Sequence, residues 1–126
     1  MLLHLSDIAP EPLHAQLSRQ IRAKILSGDL SAGADLPSIR ELARSQRISV
    51  ITVQRAYDDL ERAGLIHPRR SRGFFVSELT TLQKREMAVR RLGEALEPAL
   101  EEAVTAGLPG DQIHAVVAFI LKEKGK

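Results

Sequence analysis

The 126-residue sequence contains no cysteine and no tryptophan, and Tyr57, Phe74, Phe75 and Phe119 are its only aromatic side chains. Without cysteine there is no disulfide scaffold, no thiol nucleophile and no thiolate metal site. Four aromatic rings are too few for a single-strand nucleic-acid fold, which stacks successive bases on several of them. They are also too few for an aromatic-lined cofactor pocket. No apolar run approaches the roughly 20 residues of a membrane span. The opening MLLHLSD turns acidic too soon for a signal peptide, so the expected compartment is the cytoplasm. The four histidines (4, 14, 67 and 114) lack ligand spacing, and neither a G-x-S-x-G nor a phosphate-loop motif occurs. Glu101 and Glu102 are adjacent, so on a helix they diverge and do not make a catalytic pair. No enzyme activity, metal or cofactor is expected.

What is present is an ordinary globular composition, 44% hydrophobic and 27% charged, in a length that allows one or two small domains. The net charge of +2 is uneven. Residues 1–76 carry eleven Lys/Arg against eight Asp/Glu, whereas residues 77–126 carry seven against eight. Within 37–72 all eight basic residues are arginine, against four acids. Arginine suits planar recognition of phosphate and guanine, so this segment points toward nucleic acid.

Hydrophobic spacing divides the chain further. Leu13, Leu17, Ile21 and Ile25 form one stripe of a first helix that Gly28 can end. In LPSIREL, Ser38 and Glu41 make a capping box that starts a short second helix. Ser49 can cap a third helix from Val50 to Ala63, with Val53, Ala56, Tyr57 and Leu60 on its buried face. Leu65–His67 and Phe74–Val76 are β-prone and joined by a basic turn, the pattern of a hairpin. Three helices followed by a basic hairpin make a winged helix-turn-helix. Beyond a joint near residue 78, Leu82, Val89, Leu92, Leu96, Leu100 and Val104 mark a long helix. Its apolar phase continues past Pro98, so a kink is expected there rather than a break. Ile113, Val116, Val117, Ile120 and Leu121 mark a last helix. The expected fold is mostly α with a small β hairpin. Residues 1–78 form a winged helix-turn-helix domain and 79–126 a helical dimerisation domain. The terminal pair is too small for a core of its own, so its stripe must be covered, most simply by a second copy.

From Pro12 to Val76 the sequence resembles the DNA-binding domain of the GntR family of bacterial transcription regulators. The run LPSIRELA, followed at fixed distance by ITVQRAYDDLERAGLI, carries the resemblance together with Gly73, Phe75 and Val76. Only about 50 residues follow, too few for the effector-binding domain of larger members, and this resembles the short YtrA-type subfamily, which dimerises through a helix pair. The resemblance implies a regulator, by default a repressor, that binds a double-stranded operator. It places DNA contacts at Ser38, Arg40, Ser49, Val50, Ile51, Thr52, Gln54, Arg55 and the wing residues Arg69, Arg70, Ser71 and Arg72. Arg40 matches the arginine that reaches a guanine. Val50 and Gln54 stand where many members have arginine, and Ser71 where many have glycine. Gln54 can read adenine, and Val50 or Ile51 can pack on a thymine methyl, so a different base preference is expected. His14 is a possible phosphate contact. The sequence names no small-molecule effector. A winged helix serving as a protein-interaction adaptor is the alternative class.

Overall fold

Leu17, Ile21 and Ile25 recur at every fourth position, so a helix gathers them on one side. In the computed structural model, which describes residues 1–70 and 73–125, that helix is α1 (Leu13–Ser27). All three side chains are completely buried. Gly28 ends α1 with φ +87°, the left-handed geometry that glycine adopts without strain.

Helix α2 (Ile39–Gln46) begins on the capping box. Ser38 Oγ accepts the Glu41 N–H at 3.1 Å, and Glu41 Oε1 accepts the Ser38 N–H at 2.9 Å. Arg47 closes α2 in the left-handed region, and α3 (Val50–Arg62) follows after Ser49. The buried face of α3 is Val53, Ala56, Tyr57 and Leu60, and the helix packs on both α1 and α2. Leu42 and Ala43 of α2 close the core from the other side.

The wing has one strand more than a hairpin. Strands β2 (Ile66–Pro68) and β3 (Phe74–Val76) pair antiparallel, with His67 opposite Phe75. The far edge of β3 pairs with β1 (Asp35–Leu36), Asp35 opposite Phe75 and Leu36 opposite Phe74. The sheet order is therefore β1-β3-β2. A two-residue strand is too short to show alternation, so residues 28–36 read in sequence as a plain polar connection. Leu36, Leu65, Ile66 and Val76 turn inward and seal the core beneath the sheet.

Tyr57 joins these parts. Its ring is fully buried, 4.8 Å from the Phe74 ring in an edge-to-face arrangement. Its hydroxyl donates to the Pro37 carbonyl at 2.8 Å. One α3 side chain thus holds both the start of α2 and the central strand of the wing. A buried phenol must find an acceptor, and the Pro37 carbonyl provides it.

The N-terminal segment is held by two glutamines one helical turn apart. Gln16 Oε1 accepts the Ser6 N–H at 2.9 Å, and Gln16 Nε2 donates to the Ser6 carbonyl at 2.8 Å. Gln20 treats His4 in the same way, at 2.8 and 2.7 Å. The spacing matches for a simple reason. Four helical residues rise about 6 Å, close to the two-residue repeat of an extended chain. Gln16 also donates to the Glu11 carbonyl at 2.7 Å, so its buried carboxamide is fully engaged. Across the helices, Ser18 donates to Asp59 Oδ2 at 3.0 Å and ties α1 to α3.

By its contacts the chain divides into two compact units, residues 1–84 and 85–126. Helix α4 (Thr81–Thr105) starts in the first unit on a second capping box, between Thr80 and Gln83. It runs unbroken through Pro98, in keeping with the apolar phase on both sides of that residue. After Gly107, at φ +89°, helix α5 (Gly110–Glu123) completes the second unit. Among the described residues no helix is long and apolar enough to cross a membrane.

Tyr57 is the only tyrosine, so its ionisation reports directly on this arrangement. Burial pushes the phenol well above its ordinary value, and the Glu41 carboxylate adds to the shift. As pH rises the unfolded chain loses the proton first. The stability contributed by the neutral phenol is therefore complete below about pH 10 and is lost above it. We expect the ultraviolet phenolate band to appear only together with alkaline unfolding. A band growing in at about pH 10 with native circular dichroism retained would show that the ring is not enclosed.

Candidate nucleic-acid interface

The start of α3 is built from residues that serve the helix and residues that face outward. Ser49 Oγ accepts the Thr52 N–H at 3.1 Å and lies 2.8 Å from Thr52 Oγ1. The cap holds the first turn and sets two hydroxyls side by side. Val50 and Ile51 follow, 47% and 72% exposed. Two β-branched apolar side chains projecting from the first turn contribute nothing to the core, although the opposite face of the same helix is fully buried. Further along, Gln54 Nε2 donates to Asp58 Oδ1 at 2.8 Å, so its carboxamide is tethered along the helix. Asp59 is occupied by Ser18 and, at 3.8 Å, by Arg62. Arg55 is exposed and pairs with neither aspartate.

On α2, Ser38 is committed to the capping box, and Arg40 is exposed two residues beyond it. Arg44 and Arg47 are exposed as well, one turn and two turns further. Sequence reading did not place these two in the site. The signal was available in their i+4 and i+7 spacing from Arg40. Among the described residues, Arg40, Arg44, Arg47, Arg55 and Arg70 form no ion pair. Unneutralised guanidinium groups on neighbouring elements sum to a positive field that draws anions.

At the wing the predicted arginines separate. Arg69 folds back along the sheet: its Nε lies 2.7 Å from Asp35 Oδ1 and its guanidinium donates to the Gly33 carbonyl at 3.3 Å. The same guanidinium sits 4.8 Å from the centre of the Phe75 ring, and His67 stacks on that ring at 5.7 Å. The Arg69 backbone N–H donates to the Gly73 carbonyl at 3.0 Å. Arg69 thus braces β2 against β1 across Phe75, whereas Arg70 is exposed. Ser71 and Arg72, also expected in the site, lie outside the described residues. Gly73 has φ +69°, and a Cβ there would meet the Leu36 carbonyl oxygen at 3.2 Å, so both backbone angle and space call for glycine.

In the second unit no residue of α4 or α5 is buried within the single chain. Leu82, Val89, Leu92 and Val104 of α4 are exposed, as are Val116, Val117 and Ile120 of α5. Leu96, Leu100 and Ile113 are half-buried. Leu121 of the same stripe is 50% exposed, and Phe119, which the sequence stripe omitted, is 64% exposed.

A capped helix with an outward-facing first turn, a short arginine-bearing helix before it and a β wing behind it define a winged helix-turn-helix DNA-binding domain. Comparison with known proteins gives the family. The profile described as "Bacterial regulatory proteins, gntR family" matches residues 13–76, and the chain belongs to the GntR family. It is similar to the transcriptional repressor YtrA of Bacillus subtilis, 32% identical over 90% of this chain and 87% of that protein. That likeness along nearly the whole length places it with the short YtrA-type members. A GntR-family regulator from Listeria monocytogenes has the same fold, with a TM-score of 0.73 and 27% identity over 90% of this chain and 97% of that one. The DNA-binding domain of AraR, solved in complex with an operator, matches 60% of this chain and 96% of its own at a TM-score of 0.53 and 26% identity. The chain is a DNA-binding transcription regulator and not an enzyme.

The brace around Arg69 is testable. Asp35→Ala removes the carboxylate that holds it. Because both partners are partly exposed, global stability should change by less than about 1 kcal/mol. Hydrogen exchange at the Arg69 amide should nevertheless quicken as the wing loosens. Unchanged exchange at that amide would mean that Arg69 does not brace the sheet.

Proposed function

We propose that the protein acts in the cytoplasm as a homodimeric repressor, with two copies of residues 1–78 reading the half-sites of a pseudo-palindromic operator and residues 79–126 joining them. The observation that carries the reading is the first turn of α3. It combines a side-chain cap, two hydroxyls and two exposed apolar side chains beside unpaired arginines, within a GntR frame. Helix α3 enters the major groove by its N-terminus. Arg40 forks onto guanine N7 and O6 from α2. Ser49 and Thr52 meet phosphate or base edges, and Val50 and Ile51 pack on thymine methyls. Gln54 reads adenine by exchanging its bond to Asp58 for the base. Arg55 and Arg70 contact phosphates, and Ser71 and Arg72 belong to the same proposed set. Ser38 fixes the start of α2 by accepting the Glu41 N–H and keeps its hydroxyl proton to donate to a phosphate oxygen.

Dimerisation is supported by the uncovered apolar side chains of α4 and α5, which water disfavours and a second copy can bury. The likeness to YtrA, named a repressor, and to an operator-bound AraR domain supports the direction of control and the ligand. No effector is assigned.

Selection from a randomised duplex pool tests the reading. We expect one enriched motif with twofold symmetry, bound with steep salt dependence. Arg40→Ala should weaken binding by about 1–3 kcal/mol and relax a single base position in each half-site. A pool that shows no enrichment over random duplex overturns the reading and favours the protein-adaptor class.

A further inference from the structure

Arg47 is the only non-glycine among the described residues with positive φ, at φ +57° and ψ +47°. It sits at the end of α2, where its N–H bonds back to the Arg44 carbonyl at 3.3 Å and the Ile48 N–H bonds to the Ala43 carbonyl at 3.0 Å. Glycine or asparagine meets that geometry with less strain, because an L side chain crowds the backbone in the left-handed region. Arginine is unfavourable here a second time. It ends a row of like charges with Arg40 and Arg44 at i, i+4 and i+7, a spacing at which like charges repel. In return its exposed side chain has only the weak attraction of a cation for the C-terminal end of α2, and among the described residues it forms no ion pair. A residue that stability disfavours on two counts is a functional candidate.

Its position supplies the function. Arg47 lies two residues before the Ser49 cap and three before Val50, in the turn that feeds the first turn of α3. We infer that Arg47 is a DNA-backbone contact, its guanidinium donating to a phosphate beside the groove that α3 enters. The inference rests on the DNA-binding reading above. A planar donor fork binds the two oxygens of a phosphate, and that contact carries no base preference. The mutual repulsion of Arg40, Arg44 and Arg47 that penalises the free protein is neutralised once DNA is bound.

The test uses the full-length protein, a random-sequence duplex and a salt titration. Arg47→Gly should leave the thermal midpoint equal or raised, yet weaken duplex binding about fivefold to tenfold at ~0.1 M salt. The log-affinity against log-salt slope should become shallower by about 0.9 for each protomer bound, and Arg47→Lys should keep the wild-type slope. A wild-type slope in Arg47→Gly overturns the inference. So does a lowered midpoint accompanying the loss of affinity, because that would assign Arg47 a structural role. If Arg40→Ala loses discrimination on the selected duplex while Arg47→Gly keeps the slope, the DNA reading stands and the Arg47 contact alone fails. If the wild type shows no salt-dependent duplex binding, both fall together.

Discussion

The hydrogen bond from Tyr57 to the Pro37 carbonyl, with the Tyr57 ring against Phe74, is the constraint on which the proposed DNA-facing surface depends. Pro37 immediately precedes the capping residue Ser38, so the bond fixes where α2 begins and hence where Arg40 projects. Phe74 lies on the central strand of the sheet, so the ring contact fixes the wing to the same helix. Thr52 and Val53 lie barely more than one turn before Tyr57 on α3. Anchoring that turn in the core therefore orients the outward residues just ahead of it. Recognition by a fork of hydrogen bonds demands such rigidity, since small misplacements waste the geometry.

Around this junction the side chains divide their tasks by environment. The inward face of α3 is wholly apolar apart from the satisfied phenol, while its first turn keeps hydroxyls and branched apolar groups at the surface. The arginines divide similarly. Arg69 is spent on the sheet, bound to Asp35, Gly33 and Phe75, and among the described residues Arg40, Arg44, Arg47, Arg55 and Arg70 carry unpaired charge. A positive surface that is not internally neutralised lowers the stability of the free protein a little and raises its attraction for a polyanion.

How much of this was legible in the sequence follows from the physics of each element. Helices α1 and α3 announced themselves because burial of one face forces a period of 3.6, and Ser38 and Ser49 marked the starts of α2 and α3 by residue type. The fold class and the GntR membership were readable from these together. Strand β1 was not, since two residues carry no period and its pairing with β3 depends on a partner some 40 residues away. The Gln16 and Gln20 ladder was also invisible, because a glutamine in a sequence looks the same whether or not backbone meets it. Arg69 shows the limit for charges. Three arginines in a wing turn look equivalent until the fold brings Asp35 to one of them. Arg47 was missed for the opposite reason: its left-handed backbone is a property of the turn, and residue type hid it. Pro98 within α4 was readable only through the apolar phase around it.

The central claim is that two copies present their α3 helices to successive turns of one face of a duplex. Hydroxyl-radical footprinting of the full-length protein on its selected duplex measures this directly. The account predicts two protected patches per strand, related by a twofold axis and centred about 10 base pairs apart. A single protected patch, or two without symmetry, would contradict it.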